Sequence, residues 1–154
     1  MKVLFIGGTG NISTACVERA LAKGCKVSVL NRGKRNVDFE GRVQTFAGDR
    51  NDPAVLRQIA DSERFDVVAN FVGFVPEQIE KDITAFEGRM GQYMFISTAS
   101  AYQKPVNHYL ITESTPLHNP YWQYARDKIA CEDRLMRAYR ESGFPITIVR
   151  PTYT

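Results

Sequence analysis

Tyr124 and Lys128, in the stretch "YWQYARDKIACE", are residues whose types and spacing offer proton chemistry. At i and i+4 of a helix-like segment they share one helix face. An ammonium that close makes a phenolate less costly and is expected to lower the tyrosine pKa towards the range of a general acid/base. The same lysine can also donate to the hydroxyls of a bound ligand. Tyr121 has no such partner, because its i+4 position is Ala125. Tyrosine and lysine at this spacing also occur as plain surface pairs, so a second group matters. "FISTAS" supplies it, setting Ser97, Thr98 and Ser100 at the end of an apolar run. A hydroxyl there can bond a substrate oxygen while the tyrosine moves its proton, although serines and threonines at strand ends also serve as turn formers.

A third motif addresses a phosphate-bearing ligand. In "IGGTGNIS" (residues 6–13) a short apolar run feeds into three glycines and then a helix-like segment. Two registers fit, Gly8-x-Gly10-x-x-Ser13 and Gly7-x-x-Gly10-x-x-Ser13. Ile6 is the last apolar residue of the run, so Gly7 begins the turn. Gly7 would permit the sharp bend, and Gly10, with Asn11 and Ile12 beside it, would let a pyrophosphate approach the backbone at the helix N-terminus. Ser13 stands where a dinucleotide-binding turn normally has its third glycine; its hydroxyl can bond a phosphate or a local backbone group. At the close of the second strand an acid usually holds the adenosine ribose. Here the sequence is "LNRGKR", with Asn31 and Arg32 at that place. An arginine there can stack on adenine and pair with a 2′-phosphate, which favours NADP over NAD, while Asn31 could bond a ribose hydroxyl. A solvated basic loop is the plainer alternative.

These groups need a scaffold that brings them to one edge. Strand-like runs at 3–6, 26–30, within 42–49, within 65–73, at 92–97 and at 145–150 alternate with helical patterns over 12–23, 53–60, 76–87 and 119–142. Asp52 and Pro53 open the second helix, Asn119-Pro120 opens the longest, and Gly24 and Gly143 close the first and last. Strands that read as solid apolar runs between helices imply a parallel sheet covered on both faces. Right-handed crossovers then give an α/β, Rossmann-type doubly wound domain of three layers, α/β/α, with about six strands. Ligands bind such folds at the carboxyl edge of the sheet.

A chain of 154 residues suits one domain with a real core. Apolar residues at 44% and charged residues at 24% exclude disorder and coiled coil. The net charge of +3 is mild. The cluster Arg32, Lys34, Arg35 is too small for a nucleic-acid footprint and reads as a local anion contact. No apolar run approaches the ~20 residues of a membrane span, and the N-terminal apolar stretch is too short for a signal-peptide core. Cys16, Cys25 and Cys131 have no metal-type spacing, and their odd number argues against a disulfide framework, so reduced thiols in a cytoplasmic protein are expected. His108 and His118 read as loop residues and no metal is expected. Trp122 reads as packing.

Together the motifs resemble the extended or atypical short-chain dehydrogenase/reductase group, the NAD-dependent epimerase/dehydratase family. The resemblance covers the whole chain: Gly7-x-x-Gly10 after strand one, "GDRND" after strand three, "STASAY" after strand five, Tyr124-x-x-x-Lys128, and "RPT" after strand six. It implies Asp49 and Arg50 beside the adenine, Phe71, Val72 and Gly73 along the cofactor beyond strand four, and Pro151 at the cofactor after strand six. In the family's "S-[ST]-x-x-x-Y" stretch the residue four before the tyrosine is the catalytic hydroxyl. Counting back from Tyr102 gives Thr98, with Ser97 nearby as the alternative. Tyr124 is then the general acid/base and Lys128 its activator. The sequence departs from the family pattern at Ser13 and at Asn31-Arg32. Family members also continue into a smaller domain that closes over the substrate. Residues 1–154 are therefore expected to be the NAD(P)-binding domain, with the substrate-binding domain outside this chain.

The leading expectation is an oxidoreductase or epimerase that moves hydride between an alcohol carbon and NADP or NAD while Tyr124 takes the hydroxyl proton, on a small-molecule substrate of the nucleotide-sugar type. A silent NADP-sensing or protein-binding regulator, or an RNA-binding relative, would use the same fold. The intact Tyr–Lys–hydroxyl set favours an enzyme. The weak net charge argues against nucleic acid, the short apolar runs against a membrane, and a homodimer is compatible with the pattern.

Overall fold

The computed structural model describes residues 1–33, 37 and 39–152; Lys34 and Arg35 of the basic cluster lie outside them. Among the described residues the apolar runs form β1 (Lys2–Ile6), β2 (Lys26–Asn31), β3 (Val43–Ala47), β4 (Phe65–Asn70), β5 (Met90–Ile96) and β6 (Ile146–Val149). The helix-spaced segments form α1 (Asn11–Ala22), α2 (Pro53–Ser62), α3 (Pro76–Phe86) and α4 (Gln123–Ser142), with one 3-10 turn at Ala99–Ala101. All strand pairings are parallel, in the order β3-β2-β1-β4-β5-β6. This is the doubly wound Rossmann-type sheet that the alternating pattern predicts.

Period-two alternation along the strands divides the core. Leu4, Ile6, Leu30, Val68, Tyr93 and Phe95 face α2, α3 and α4, meeting Leu56, Ile79, Phe86 and Leu135. Val3, Phe5, Val27, Val29 and Ala69 face the other way, onto Val17 of α1 and Phe39 of the β2–β3 connection. Strand β1 pairs with β2 on one side and β4 on the other, so the winding reverses there. The loops that leave β1 and β4 diverge at that boundary and open a crevice.

One boundary departs from expectation. The sequence predicts that the longest helix starts at 119–120, but α4 begins at Gln123, after Trp122 as N-cap. Asn119 is buried. Its side chain donates to the Ser100 carbonyl at 2.8 Å and accepts the Tyr121 N–H at 3.0 Å. That local turn ties the chain to the β5 loop before the helix can begin. Among the described residues no helix is long and apolar enough to cross a membrane, and the three cysteines are free thiols.

Candidate active site

Loops at the carboxyl edge surround an open cavity of about 970 Å³. Its wall carries Gly7, Gly10, Asn11, Ile12 and Ser13 from the β1–α1 turn, Asn31 and Arg32 after β2, and Asp49 and Arg50 after β3. Phe71 and Val72 follow β4, Ser97 and Thr98 follow β5, Pro151 follows β6, and α4 contributes Tyr124 and Lys128. Gly73 is the exception among the predicted site residues. It sits behind the wall, where a Cβ would meet Asn70 Nδ2 at 2.9 Å and Phe95 Cε2 at 3.1 Å. Its carbonyl, not its surface, reaches the site, by accepting from Lys128.

The glycine turn is shaped by close approach. Gly7 has φ +88°, and a Cβ there would lie 2.5 Å from Val72 Cγ1. Gly8, to which the chosen register assigns no part, is also required: its Cβ would meet Val29 Cγ1 at 2.8 Å. Of the two options for the buried Ser13 hydroxyl, the local one is realised, since Gly10 N–H donates to Ser13 Oγ at 2.8 Å. The Gly10 carbonyl accepts from Thr14 N–H at 2.9 Å and from its hydroxyl at 2.8 Å. Helix geometry leaves the N–H groups of Asn11 and Ile12 without backbone partners, and the first turn of α1 holds no acidic residue to repel an anion. A pyrophosphate therefore fits this cradle.

At the end of the cavity expected to take the adenosine, Asn31 Oδ1 accepts the Gly33 N–H at 2.9 Å, which leaves the amide N–H groups for a ligand. Arg32 is exposed. The hydrogen bond from the Asn51 backbone, followed by that of its side chain and the charges of Arg32 and Arg50, holds the Asp49 carboxyl below its usual range. Arg50, predicted beside the adenine, turns its guanidinium inward. It is 7% exposed, with Nη2 2.7 Å from both oxygens of the buried Asp82. A carboxylate in the interior needs a counter-charge, and Arg50 supplies it.

At the opposite end, Tyr124 packs between Trp122 (ring centroids 4.8 Å apart) and Phe74 (6.4 Å). Lys128 is buried and donates to the carbonyls of Gly73 and Ile96, each at 2.6 Å, with its ammonium 4.3 Å from the Phe95 ring centre. Burial lowers its pKa to about 8, against the opposing pull of Cys131 and Glu132. The expectation that this lysine lowers the Tyr124 pKa is corrected here. The phenol is pushed up by burial, and the Lys128 ammonium is turned towards the two carbonyls instead of the phenol oxygen. Thr98 Oγ1 accepts the Ser100 N–H at 3.1 Å, which leaves its own proton to offer. Ser97 is buried and its hydroxyl donates a hydrogen bond to Glu132. Glu132 also receives Arg150, whose Nη2 lies 2.7 Å away, and Arg150 reaches the Tyr102 hydroxyl at 3.2 Å. The loop is tied further by Ser97 N–H to the Val149 carbonyl (2.7 Å) and Ala99 N–H to that of Pro151 (2.9 Å).

Sequence reasoning passed over Glu132, Arg150, Asp82, Asn70 and Tyr93. Two of them leave a readable trace. Glu132 lies at i+8 from Tyr124 on the same helix face, and Asp82 interrupts the apolar stripe of Ile79, Ile83 and Phe86.

A sequence model of the NAD dependent epimerase/dehydratase family matches residues 3–153. The UDP-glucose 4-epimerase of Lactobacillus helveticus is 27% identical over 169 aligned positions, covering 97% of this chain and 51% of that protein. The chloroplast stem-loop binding protein of 41 kDa b of Arabidopsis thaliana is 28% identical over 116 positions, 67% of this chain and 30% of that one. The dTDP-6-deoxy-L-talose 4-dehydrogenase (NAD(P)(+)) of Kitasatospora kifunensis is 38% identical over 72 positions, 47% of this chain and 23% of the relative. The chain thus spans about half the length, or less, of these curated relatives. The crystal structure of UDP-glucose 4-epimerase from Bifidobacterium longum in complex with NAD+ and UDP superposes with TM-score 0.84 at 21% identity, over 97% of this chain and 52% of that one, and so shares the fold. With the family model matched along nearly all of its length and the sheet order in agreement, the chain belongs to the NAD dependent epimerase/dehydratase family.

Proposed function

We propose that this chain binds a nicotinamide dinucleotide and supplies the proton-transfer groups of an enzyme that oxidises or reduces an alcohol or carbonyl carbon of a nucleotide-sugar substrate. One observation carries the reading: the glycine turn, Thr98, Tyr124 and Lys128 line the same cavity. The Asn11 and Ile12 N–H groups would hold the pyrophosphate, with Gly7 and Gly10 giving it room. Asn31, Arg32 and Asp49 would face the adenosine, Phe71, Val72 and Pro151 would line the middle, and Lys128 would reach the nicotinamide ribose. When bound, the nicotinamide supplies hydride transfer.

The protein's own part is the proton. The Tyr124 phenol is a weak acid that burial weakens further, so near neutral pH it carries its proton and is poised to donate to a carbonyl oxygen. To work as a base it needs the Lys128 ammonium closer, and that requires Lys128 to release the Gly73 or Ile96 carbonyl. Thr98 offers its hydroxyl proton to the same substrate oxygen. Support for a nucleotide sugar comes from the names of the Lactobacillus helveticus and Kitasatospora kifunensis relatives. Arg32, in place of an acid after β2, favours NADP over NAD, and the free thiols favour a reducing, cytoplasmic setting. A binding protein without catalysis is the second reading, prompted by the similarity to the stem-loop binding protein. The intact proton-transfer set speaks against it. So does the net charge of only +3, mild for a protein that must hold a phosphate backbone.

Calorimetric titration with NAD and NADP tests the first half; binding of neither overturns it. In the full-length protein, supplied with UDP- and dTDP-hexoses, Tyr124→Phe should lower turnover by about 10²–10⁴-fold while cofactor affinity holds. Turnover at the unsubstituted rate would show that Tyr124 is not the proton-transfer group.

A further inference from the structure

Behind the adenosine end of the cavity lies a buried cluster that proton transfer does not use. Asp82 on α3 accepts from Asn70 Nδ2 (2.6 Å), from the Tyr93 hydroxyl (2.6 Å) and from Arg50 Nη2 (2.7 Å). Burial raises the pKa of this carboxyl, and the Arg50 charge and the three donors oppose that rise. An interior ion pair is a weak source of stability, since apolar residues of similar volume often serve as well or better. The connections of this pair suggest a different role.

Arg50 directly follows Asp49, so its anchorage fixes the β3–α2 loop that carries the Asp49 carboxylate into the cavity wall. Helix α3 grips that loop at further points. Gln78 Nε2 donates to Asn51 Oδ1 at 2.9 Å, Lys81 Nζ donates to the Asn51 carbonyl at 2.8 Å, and the Gln78 carbonyl accepts from Arg50 at 3.3 Å. Asn51 in turn gives its N–H (2.9 Å) and Nδ2 (3.0 Å) to Asp49 Oδ1. The loop after β4 is held from the same helix, because Gln78 Oε1 accepts the Phe74 N–H at 2.8 Å. Asn70, bonded to Asp82, also accepts the Val72 N–H at 2.8 Å. One helix therefore sets the spacing of two cavity-lining loops.

The geometry points to Asp82 and Gln78 as positioning residues that hold Asp49 where its carboxylate reads the exocyclic amine of a bound adenine. This rests on the dinucleotide reading above. A carboxylate accepts from an amine but repels the carbonyl oxygen that hypoxanthine carries at the same ring position, and a site built to bond a donor discriminates sharply against an analogue lacking it.

The test compares NAD with its hypoxanthine analogue by calorimetry, on the protein and on Asp82→Asn, Gln78→Ala and, as reference, Asp49→Asn. The protein should prefer NAD by about tenfold or more, equivalent to roughly 1.4 kcal/mol. Asp82→Asn and Gln78→Ala should bring that ratio close to one, as Asp49→Asn should. A purely structural contribution would weaken both ligands alike and leave the ratio standing. Asp82→Asn leaves the Arg50 guanidinium buried without its counter-charge, so circular dichroism checks its folding; if it does not fold, the half-buried Gln78 decides. A folded Gln78→Ala with an unchanged ratio overturns the inference. Equal affinity of the unsubstituted protein for the two dinucleotides removes the inference alone, whereas binding of neither removes the dinucleotide reading as well.

Discussion

Gly7→Ala separates two costs that the cradle imposes on its first residue. The backbone at Gly7 has φ +88°, and an added Cβ would lie 2.5 Å from Val72 Cγ1 and 3.0 Å from Cγ2. A left-handed conformation costs a non-glycine residue roughly 1–2 kcal/mol, and forcing a methyl into a packed contact costs about 1–3 kcal/mol more. The sum, roughly 2–5 kcal/mol, corresponds to a Tm loss of about 4–20 °C for a domain of this size. Val72→Ala removes both clashing methyls but leaves φ untouched. Urea denaturation of the two single variants and the double variant should therefore give a favourable coupling of about 1–3 kcal/mol, with the φ cost remaining. Gly24→Ala is the control. Its φ is +74° but no atom lies within 4 Å of the new Cβ, so it should lose the φ cost alone. Because Val72 lines the cavity, Gly7→Ala should also weaken dinucleotide binding. A Gly7→Ala protein within about 0.5 kcal/mol of the parent, or a double variant showing no coupling, would refute the reasoning.

Arg32→Ala should weaken NADP by about tenfold or more while leaving NAD nearly unaffected, as loss of a charged hydrogen bond to the 2′-phosphate predicts; equal weakening in calorimetry would remove that assignment. Lys128 titrates at about 8 in the folded protein against an ordinary 10.5. Between those values the unfolded chain binds more protons, so this lysine makes stability rise with pH across that window. Comparison with Lys128→Met isolates the effect, since the Cys131 thiol, raised to about 12 by burial, is present in both proteins; parallel pH–stability curves would count against it. Glu132→Gln removes the charge that pairs with Arg150 in a site where Glu132 is 2% exposed, and should cost about 3–5 kcal/mol in urea unfolding. A loss below about 1 kcal/mol would show that the cluster is freely solvated.

The alternation of strand and helix, the bend at Gly7 and the shared face of Tyr124 and Lys128 were legible in the sequence because each depends on neighbours within a few residues. Periods of two and 3.6 sort side chains to one face or another whatever lies across from them. The start of α4 was not legible, since Asn119 looks like a helix opening until its amide meets the Ser100 carbonyl. The parts of the site that went unread share that character. Arg50 turns inward to Asp82, 32 positions further along the chain, and Lys128 faces the sheet because the Gly73 carbonyl, 55 positions earlier, accepts its hydrogen bond. Ser97 yields its hydroxyl to Glu132, 35 positions away. By itself, then, the sequence determined which residues arrive at the carboxyl edge of the sheet. Tertiary structure alone decided which way their charges point, because an ionised group is steered by the partners that packing brings within 3 Å, and chain order does not record those distances.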